Sequence, residues 1–378
     1  MIDQVTAPFL DVGGFDEDPE RARALPAHFY HDPAIFEQER RAIFQRCWQY
    51  AGHVSQLAAP GDYLTCEIGG QNIVILRGRD DEIRGFFNVC MHRGHELLDG
   101  AGHIESAIVC PYHAWTYELD GQLRGAPNAA NVPGFDRAGV CLTPVAVETL
   151  CGLILVNPER EAPSFASQTP GLEADIRRLA PDIDELTLAY QLNFDIESNW
   201  KNVEDNFLES YHVPVAGDAH RGFLELIDYD TWRIEIHGLY QTQHAQARSG
   251  ANSAYNIEGA EVMDHGMWWV WPNFLILRYP GDGNLMVWNQ IPVAPGRTLQ
   301  TFDFYFQDST PNERQWEAIR YLDETLQPED VAILESVQKG QQSLGYRQGY
   351  YMTDLGHHNV SEHGVHHFHK LVIEALTA

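Results

Sequence analysis

Two short pairs of metal-binding side chains constrain this chain more than any other feature: Cys90-Met91-His92 and Cys110-Pro111-Tyr112-His113, separated by the 17 residues 93–109. Two thiolates and two imidazoles can close a tetrahedral zinc site. They can also hold a [2Fe–2S] cluster, with the cysteines on one iron and the histidines on the other. The spacing favours the cluster. In C-x-H the two ligands flank one residue, so a turn presents them side by side; Gly94 suits a tight loop, and Pro111 fixes the turn inside the second pair.

Which chain could carry such a centre is bounded by length and charge. At 378 residues, two domains are expected. No apolar run is long enough to span a bilayer, and residues 1–15 lack a basic region followed by an apolar one, so a cytoplasmic protein without signal peptide or membrane partner is expected. With 54 acidic against 25 basic residues the net charge is −29, which repels phosphate backbones and argues against nucleic acid. The same field tolerates a cationic substrate or a basic redox partner. Beyond Cys90 and Cys110, the cysteines at 47, 66, 141 and 151 have no framework spacing and read as buried thiols.

Residues 1–44 read as an entry segment with helical spacing at Ile35, Phe36, Glu39, Ile43 and Phe44. Residues 45–157 read as a small all-β domain: strands over 63–68, 72–77, 83–89, 107–109, 115–119 and 153–156, with the Cys/His pairs on loops between them. A Pro- and Ser-containing linker over 157–170 precedes a larger domain, 171–378. There, helices are expected over 172–179, 199–212, 311–326, 328–342 and 366–376, and strands over 188–196, 231–243, 267–279, 285–293 and 299–306. Gly281 to Gly283 read as a hairpin turn. The fold class is α+β, with an antiparallel sheet and flanking helices in the larger domain.

A second metal site is readable in that domain. Glu209 and His212 are i and i+3 on the expected 199–212 helix, and His220 lies eight residues beyond, past Pro214 and Gly217. Glu329, Asp330 and Glu335 fall near the start of the helix expected from Pro328. Two histidines and one carboxylate suit a mononuclear iron with positions open for oxygen. Glu204 and Asp205 lie too far up the helix to join His212 and read as solvated or structural. The six C-terminal histidines, His357, His358, His363, His366, His367 and His369, lack ligand spacing.

Cys110-Pro111-Tyr112-His113-Ala114-Trp115 is similar to the second ligand loop of Rieske iron–sulfur proteins. Asn199-Trp200-Lys201, Glu209-Ser210-Tyr211-His212 and Pro328-Glu329-Asp330-Val331 resemble the catalytic domain of Rieske non-haem iron oxygenase α subunits, over about residues 30–375. The resemblance implies Cys90, His92, Cys110 and His113 as ligands of a [2Fe–2S] cluster, His212, His220 and Asp330 as ligands of a mononuclear Fe(II), and Glu209 as the acid linking the two centres. One departure stands out: the family's second histidine commonly follows the first by five residues, where this chain has Gly217. Residues 216–218 read as an insertion ahead of His220. The resemblance further implies O₂ as co-substrate, a homotrimer, and a separate reductase or ferredoxin. NAD(P)H would act only through that reductase, since no dinucleotide-binding glycine fingerprint is present.

For the substrate, the strands of the larger domain carry Trp268, Trp269, Trp271, Phe274, Tyr279 and Trp288. Alternation sends about half of such residues to one face. Converging ring faces suit a quaternary ammonium group, at about 0.5–2 kcal/mol per good contact. The chain looks most similar to the choline-, betaine- and carnitine-type monooxygenases, which points to hydroxylation or N-demethylation of a small methylated amine, with release of formaldehyde. The alternative is ring hydroxylation of an aromatic acid, for which Arg278 is the one evident anchor. A different class, a non-enzymatic Rieske electron carrier, would leave Glu209, His212, His220 and Asp330 without a role.

Overall fold

The computed structural model describes residues 10–248, 250–260, 264–281 and 284–378. The chain divides into two compact units, one of residues 44–173 and one of residues 1–43 with 174–378. The entry segment thus belongs with the larger unit. No helix among the described residues is long and apolar enough to cross a membrane.

The smaller unit is all strand in its core. Gln49–His53, Leu153–Asn157, Pro144–Leu150, Ile83–Phe87, Gln71–Arg77, Asp62–Ile68 and Ala101–His103 lie side by side in that order in one antiparallel sheet. Ile108–Val109, Thr116–Tyr117 and Leu123–Gly125 form a second, three-stranded sheet. Val74, Leu76, Phe86, Ile108, Tyr117 and Leu142 pack into one apolar core, to which the side chains of Cys90 and Cys110 also belong. The expected strands are present, but Gln49–His53, Ala101–His103, Leu123–Gly125 and Pro144–Leu150 were not legible: two have three residues, too few for a period to show. The 157–170 stretch holds a one-turn helix, Phe165–Gln168, capped by Ser164. Of the four cysteines outside the pairs, Cys151 is buried, Cys47 and Cys66 are partly buried, and Cys141 is exposed.

The larger unit is built on a seven-stranded antiparallel sheet in the order Thr187–Ile196, Arg297–Phe306, Leu285–Ala294, Phe274–Arg278, His265–Val270, Tyr240–Ala247, Ile227–Ile236. The last six form a meander, and Thr187–Ile196, the first of the seven in the chain, pairs with Arg297–Phe306, the last. Two expected long strands are hairpins. The 231–243 run breaks at Gly238, whose φ of +76° suits glycine. The 267–279 run breaks at Trp271-Pro272-Asn273, because proline cannot donate to the ladder. Asp282 and Gly283, of the expected 281–283 turn, lie outside the described residues.

The helices place the site. Trp200–Phe207 starts at Asn199, whose side chain accepts from Lys201 N at 2.9 Å. It is buried nearly all round: Trp200, Val203 and Phe207 pack, while Lys201 and Glu204 are fully buried, Lys201 against Glu39 and Glu204 against Trp269. Lys201 Nζ lies 2.5 Å from Glu39 of the entry segment, and Trp200 Nε1 donates to the same carboxylate at 2.9 Å. A polar seam fixes this helix against Gln327–Gln341. Asn202 donates to Gln338 (3.0 Å) and Gln341 (2.9 Å), and Gln341 returns a bond at 2.8 Å. Buried amides satisfied in this way admit one register only. The final helix, His363–Thr377, uses its histidines as ties: His363 to Ile234 O, His366 to Asp16 O, His367 to Gly238 O and His369 to Asp205.

Candidate metal centres and the pocket beside them

The two Cys/His loops of the smaller unit are built alike. Cys90 O accepts from Gly94 N and Cys110 O from Ala114 N, each at 2.9 Å; Cys90 N donates to His95 O and Cys110 N to Trp115 O, each at 2.8 Å. Each turn ends in a left-handed residue, Gly94 (φ +74°) and Ala114 (φ +55°). Both cysteines are buried, whereas the histidines sit nearer the surface with ring centroids 4.7 Å apart. Trp115 stacks on His92 at 4.8 Å and 7°, fixing that ring. His113 Nδ1 is buried without a hydrogen-bond partner. Tyr117 Oη lies 3.3 Å from Cys90 Sγ and accepts from Met91 N at 3.0 Å; toward a thiolate sulfur the hydroxyl is the only possible donor of that pair. A single zinc brings its ligand atoms within about 4 Å of one another. The four side chains are not gathered in that way, since the only group of three or more potential ligands within 4.8 Å among the described residues lies elsewhere. Two buried sulfurs facing two outer imidazoles fit a two-iron cluster.

That other group is His212, His220 and Asp330. His212 Nδ1 is hydrogen-bonded to Glu209 Oε1, and His220 Nδ1 lies 2.8 Å from Glu329 Oε2. With both Nδ1 atoms taken by carboxylates, the tautomer is fixed and both Nε2 atoms carry lone pairs, that of His212 meeting only a long contact from Asn206 Nδ2 at 3.5 Å. They face Asp330 Oδ1, at 3.7 Å from His212 and 3.2 Å from His220. The His220 contact is short but lacks hydrogen-bond geometry, and Asp330 Oδ1 is a buried oxygen with no donor among the described residues. Three lone pairs converging on one point repel unless a cation lies between them. Burial pulls both imidazoles down, yet Glu209 and Asp330 at His212, and Asp330 and Glu329 at His220, outweigh it and leave both raised. The same field favours a metal ion.

Each member is held by a specific local device. The helix stops at Phe207 rather than running to 212, so Glu209 and His212 do not share a helical face. Glu209 folds back instead, accepting from the Tyr211 and His212 amides as well as the His212 ring. His220 stands on a separate short helix, Asp218–Leu224. Glu329 accepts from Ala219 N (3.0 Å) and His220 N (3.2 Å) at the start of that helix. Burial opposes ionisation of Glu329, but these donors and the His220 ring hold its carboxyl below the usual range. Gly217 makes this possible, since a Cβ there would fall 2.1 Å from the Glu329 carboxyl carbon.

A pocket of about 460 Å3, its open mouth included, adjoins the triad. Phe207, Phe223, Trp232, Tyr279 and Trp288 line it with rings, and no Lys or Arg is among its described lining residues.

Residues 183–378 match the ring hydroxylating α subunit (catalytic domain) family, and residues 47–136 match the Rieske [2Fe–2S] domain. The carnitine monooxygenase oxygenase subunit of Escherichia coli (strain K12) is 39% identical over 376 residues, 99% of this chain and 100% of that protein. The chain belongs to the Rieske oxygenase α-subunit family. Chloroplastic choline monooxygenase of Spinacia oleracea is 30% identical over 93% of this chain and 78% of its own length. Among solved structures, a quaternary ammonium Rieske monooxygenase, described for carnitine oxidation and inter-subunit electron transfer, matches with a TM-score of 0.88 and 36% identity, over 96% of this chain and 99% of that one. As a member of the family the chain is the oxygenase component of an oxidoreductase, and its cofactors are a Rieske [2Fe–2S] cluster and a mononuclear iron. The electron-carrier reading fails on the matched catalytic domain.

Other expectations of this Rieske oxygenase need correction. Of the six strand aromatics, only Tyr279 and Trp288 line the pocket. Trp268 Nε1 is bonded to Asp175 and Trp269 Nε1 to Glu204, both at 2.7 Å, and Trp271 packs on Phe368. Glu204 is buried, not solvated; burial lifts its carboxyl well above the usual range, with Trp269 opposing. Asp205 is structural, accepting from Tyr30 Oη at 2.8 Å. Arg278 is turned away from the pocket, onto Leu179 O (2.6 Å) and Asp182 (3.2 Å). Phe223, Trp232 and His265 were missed. The available signal for Phe223 was its i+3 position from His220 on one helical face.

Proposed function

We propose that this oxygenase component hydroxylates a carbon bonded to the nitrogen of a small quaternary ammonium compound of the carnitine, betaine or choline type. The observation that carries the reading is the pocket: ring faces and the Glu209 carboxylate beside the triad, with no Lys or Arg in its described lining. Such walls attract an ammonium group and offer no Lys or Arg anchor to an aromatic carboxylate. In this reading His212, His220 and Asp330 hold the iron, Cys90, His92, Cys110 and His113 hold the cluster, and Glu209 links His212 to a cluster histidine. The iron, when bound, supplies the O₂ chemistry of the family. Glu209 and Glu329 keep the two imidazoles in the ligating tautomer, and the apolar rings exclude water from the reacting carbon.

The balance is one O₂, two electrons and two protons per turnover, with one oxygen entering the C–H bond and the other leaving as water. A hydroxyl on a carbon bonded to ammonium nitrogen collapses to an amine and a carbonyl; on a methyl group the carbonyl product is formaldehyde. Electrons come from NAD(P)H through a separate reductase. Met91 and Tyr112, about half exposed beside His92 and His113, support a partner surface over the cluster, here a neighbouring subunit of a homotrimer. The test is product mass from carnitine, betaines and choline against benzoate and salicylate, with an artificial electron supply. Oxygenated or cleaved ammonium products are expected, and turnover of the aromatic acids alone overturns the reading.

A further inference from the structure

His265 is a buried imidazole that makes no well-formed hydrogen bond to the described residues, although the backbone of Arg278 lies near its ring. It is 2% exposed, and neither ring nitrogen has a hydrogen-bond partner among the described residues. Its ring lies among Trp232 (5.0 Å), Tyr279 (5.2 Å) and Phe223 (5.7 Å), three of the rings that line the pocket. The strand explains the direction. His265 and Met267 are two residues apart on one face and both line the pocket, while Trp268 points to the other side, onto Asp175. Burying both polar atoms of an imidazole unpaired is costly, and other histidines of this unit spend at least one ring nitrogen on a bond: His244 on Asp175, His363 on Ile234 O, His369 on Asp205. A second unmet donor, Trp288 Nε1, belongs to another lining residue of the same pocket.

We propose that His265 is a substrate-binding residue whose ring N–H is donated to an oxygen, carboxylate or hydroxyl, on the tail of the ammonium substrate. The inference deepens the ammonium reading above and rests on it. Burial pushes the imidazole down to about 3, with His244 adding to the shift and the backbone of Arg278 opposing it. The ring is therefore neutral at pH 7, offering one N–H and one lone pair. A hydroxyl can use both; a carboxylate uses the N–H and can take Trp288 Nε1 as a second donor. An ammonium compound without an oxygen leaves these groups unpaired, and a site with buried unmet donors discriminates strongly against a ligand that lacks the acceptor.

The test is calorimetric binding to the oxygen-free holoenzyme of three probes: tetramethylammonium, glycine betaine and choline. In the native protein, betaine or choline is expected to bind at least about tenfold tighter than tetramethylammonium, and which of them gains identifies carboxylate or hydroxyl. In His265→Phe that ratio is expected to fall to near one, and in His265→Gln, which retains a donor and an acceptor, to recover in part. Iron content and the cluster spectrum report whether each variant is intact. A native ratio near one, or an unchanged ratio in His265→Phe, overturns the inference while the ammonium reading stands. Failure of all three probes to bind overturns both. A crystal structure of the native enzyme with the tighter probe tests the contact without any variant. A tail oxygen within about 3.2 Å of a His265 ring nitrogen is expected, and a tail oxygen seated elsewhere overturns the assignment.

Discussion

Glu329 holds three donors at once, the Ala219 and His220 amides and the His220 ring, and each loses its acceptor if the carboxylate is displaced. Carboxylates behind metal-ligating histidines typically govern metal affinity by about 10–100-fold. Glu329→Leu is therefore expected to weaken ferrous iron binding by about that factor while leaving the cluster spectrum unchanged, measured by iron content across a buffered Fe(II) series. Gly217→Ala attacks the same contact from the other side and is expected to act in the same direction. Equal iron retention in both variants would show that Glu329 does not orient the ligand. In the smaller unit, Tyr117 aims its hydroxyl at Cys90 Sγ, and hydrogen bonds to cluster sulfurs set the potential. They stabilise the more negative, reduced form. Removing one worth about 1.4 kcal/mol lowers a one-electron potential by about 60 mV. Tyr117→Phe should show a fall of that order in a redox titration followed by EPR, and a rise would contradict the assigned donor direction.

At the scale of elements, the helix Trp200–Phe207 illustrates what sequence reading reaches. Its start, its place upstream of the first histidine and its buried Val203 and Phe207 follow from spacing, whereas Tyr211, at the same spacing, is exposed. Its end does not follow. The 199–212 run has no breaker before Pro214, and the chain leaves the helix because Glu209 bonds the next two amides and the His212 ring, a contact that spacing cannot reveal. Likewise, the Cys/His pairs stand out because four side chains of ligand type fall within 24 residues. Glu329 and His265 do not, being single polar residues whose partners lie about 110 residues away or are absent from the described chain. The same helix carries a second hidden tie. Lys201 and Glu39 are each fully buried, and burial pushes both toward neutrality, with each partner opposing the shift of the other. Removing one partner of such a pair typically costs about 3–5 kcal/mol, whereas replacing both by apolar groups is often near neutral. Lys201→Met is expected to lower the denaturation midpoint sharply, and Glu39→Met with Lys201→Met to recover most of it. A double variant as weak as the single would assign the cost to lost packing instead.

For the whole molecule, the question is which cluster serves which iron. Each subunit holds one set of each kind of ligand, so a closed ring allows the cluster of one subunit to serve its neighbour through a heterologous interface. The exposed Met91 and Tyr112 beside the cluster histidines fit a surface covered in that way. Two inactive variants decide the matter. On the proposed assignment, His92→Ala removes a cluster ligand and spares the triad, and His212→Ala removes an iron ligand and spares the cluster loops. Alone, each is expected to be inactive. When the two are co-expressed in equal amounts, every subunit still lacks one centre, so transfer within a subunit restores nothing. Transfer across the interface restores every junction at which a cluster-intact subunit faces an iron-intact one. In a randomly mixed ring that is one half times one half, roughly a quarter of the junctions. Product formation by the co-purified mixture is thus expected at about a quarter of the native rate, and a rate at the level of the single variants would place both centres of the working pair in one subunit.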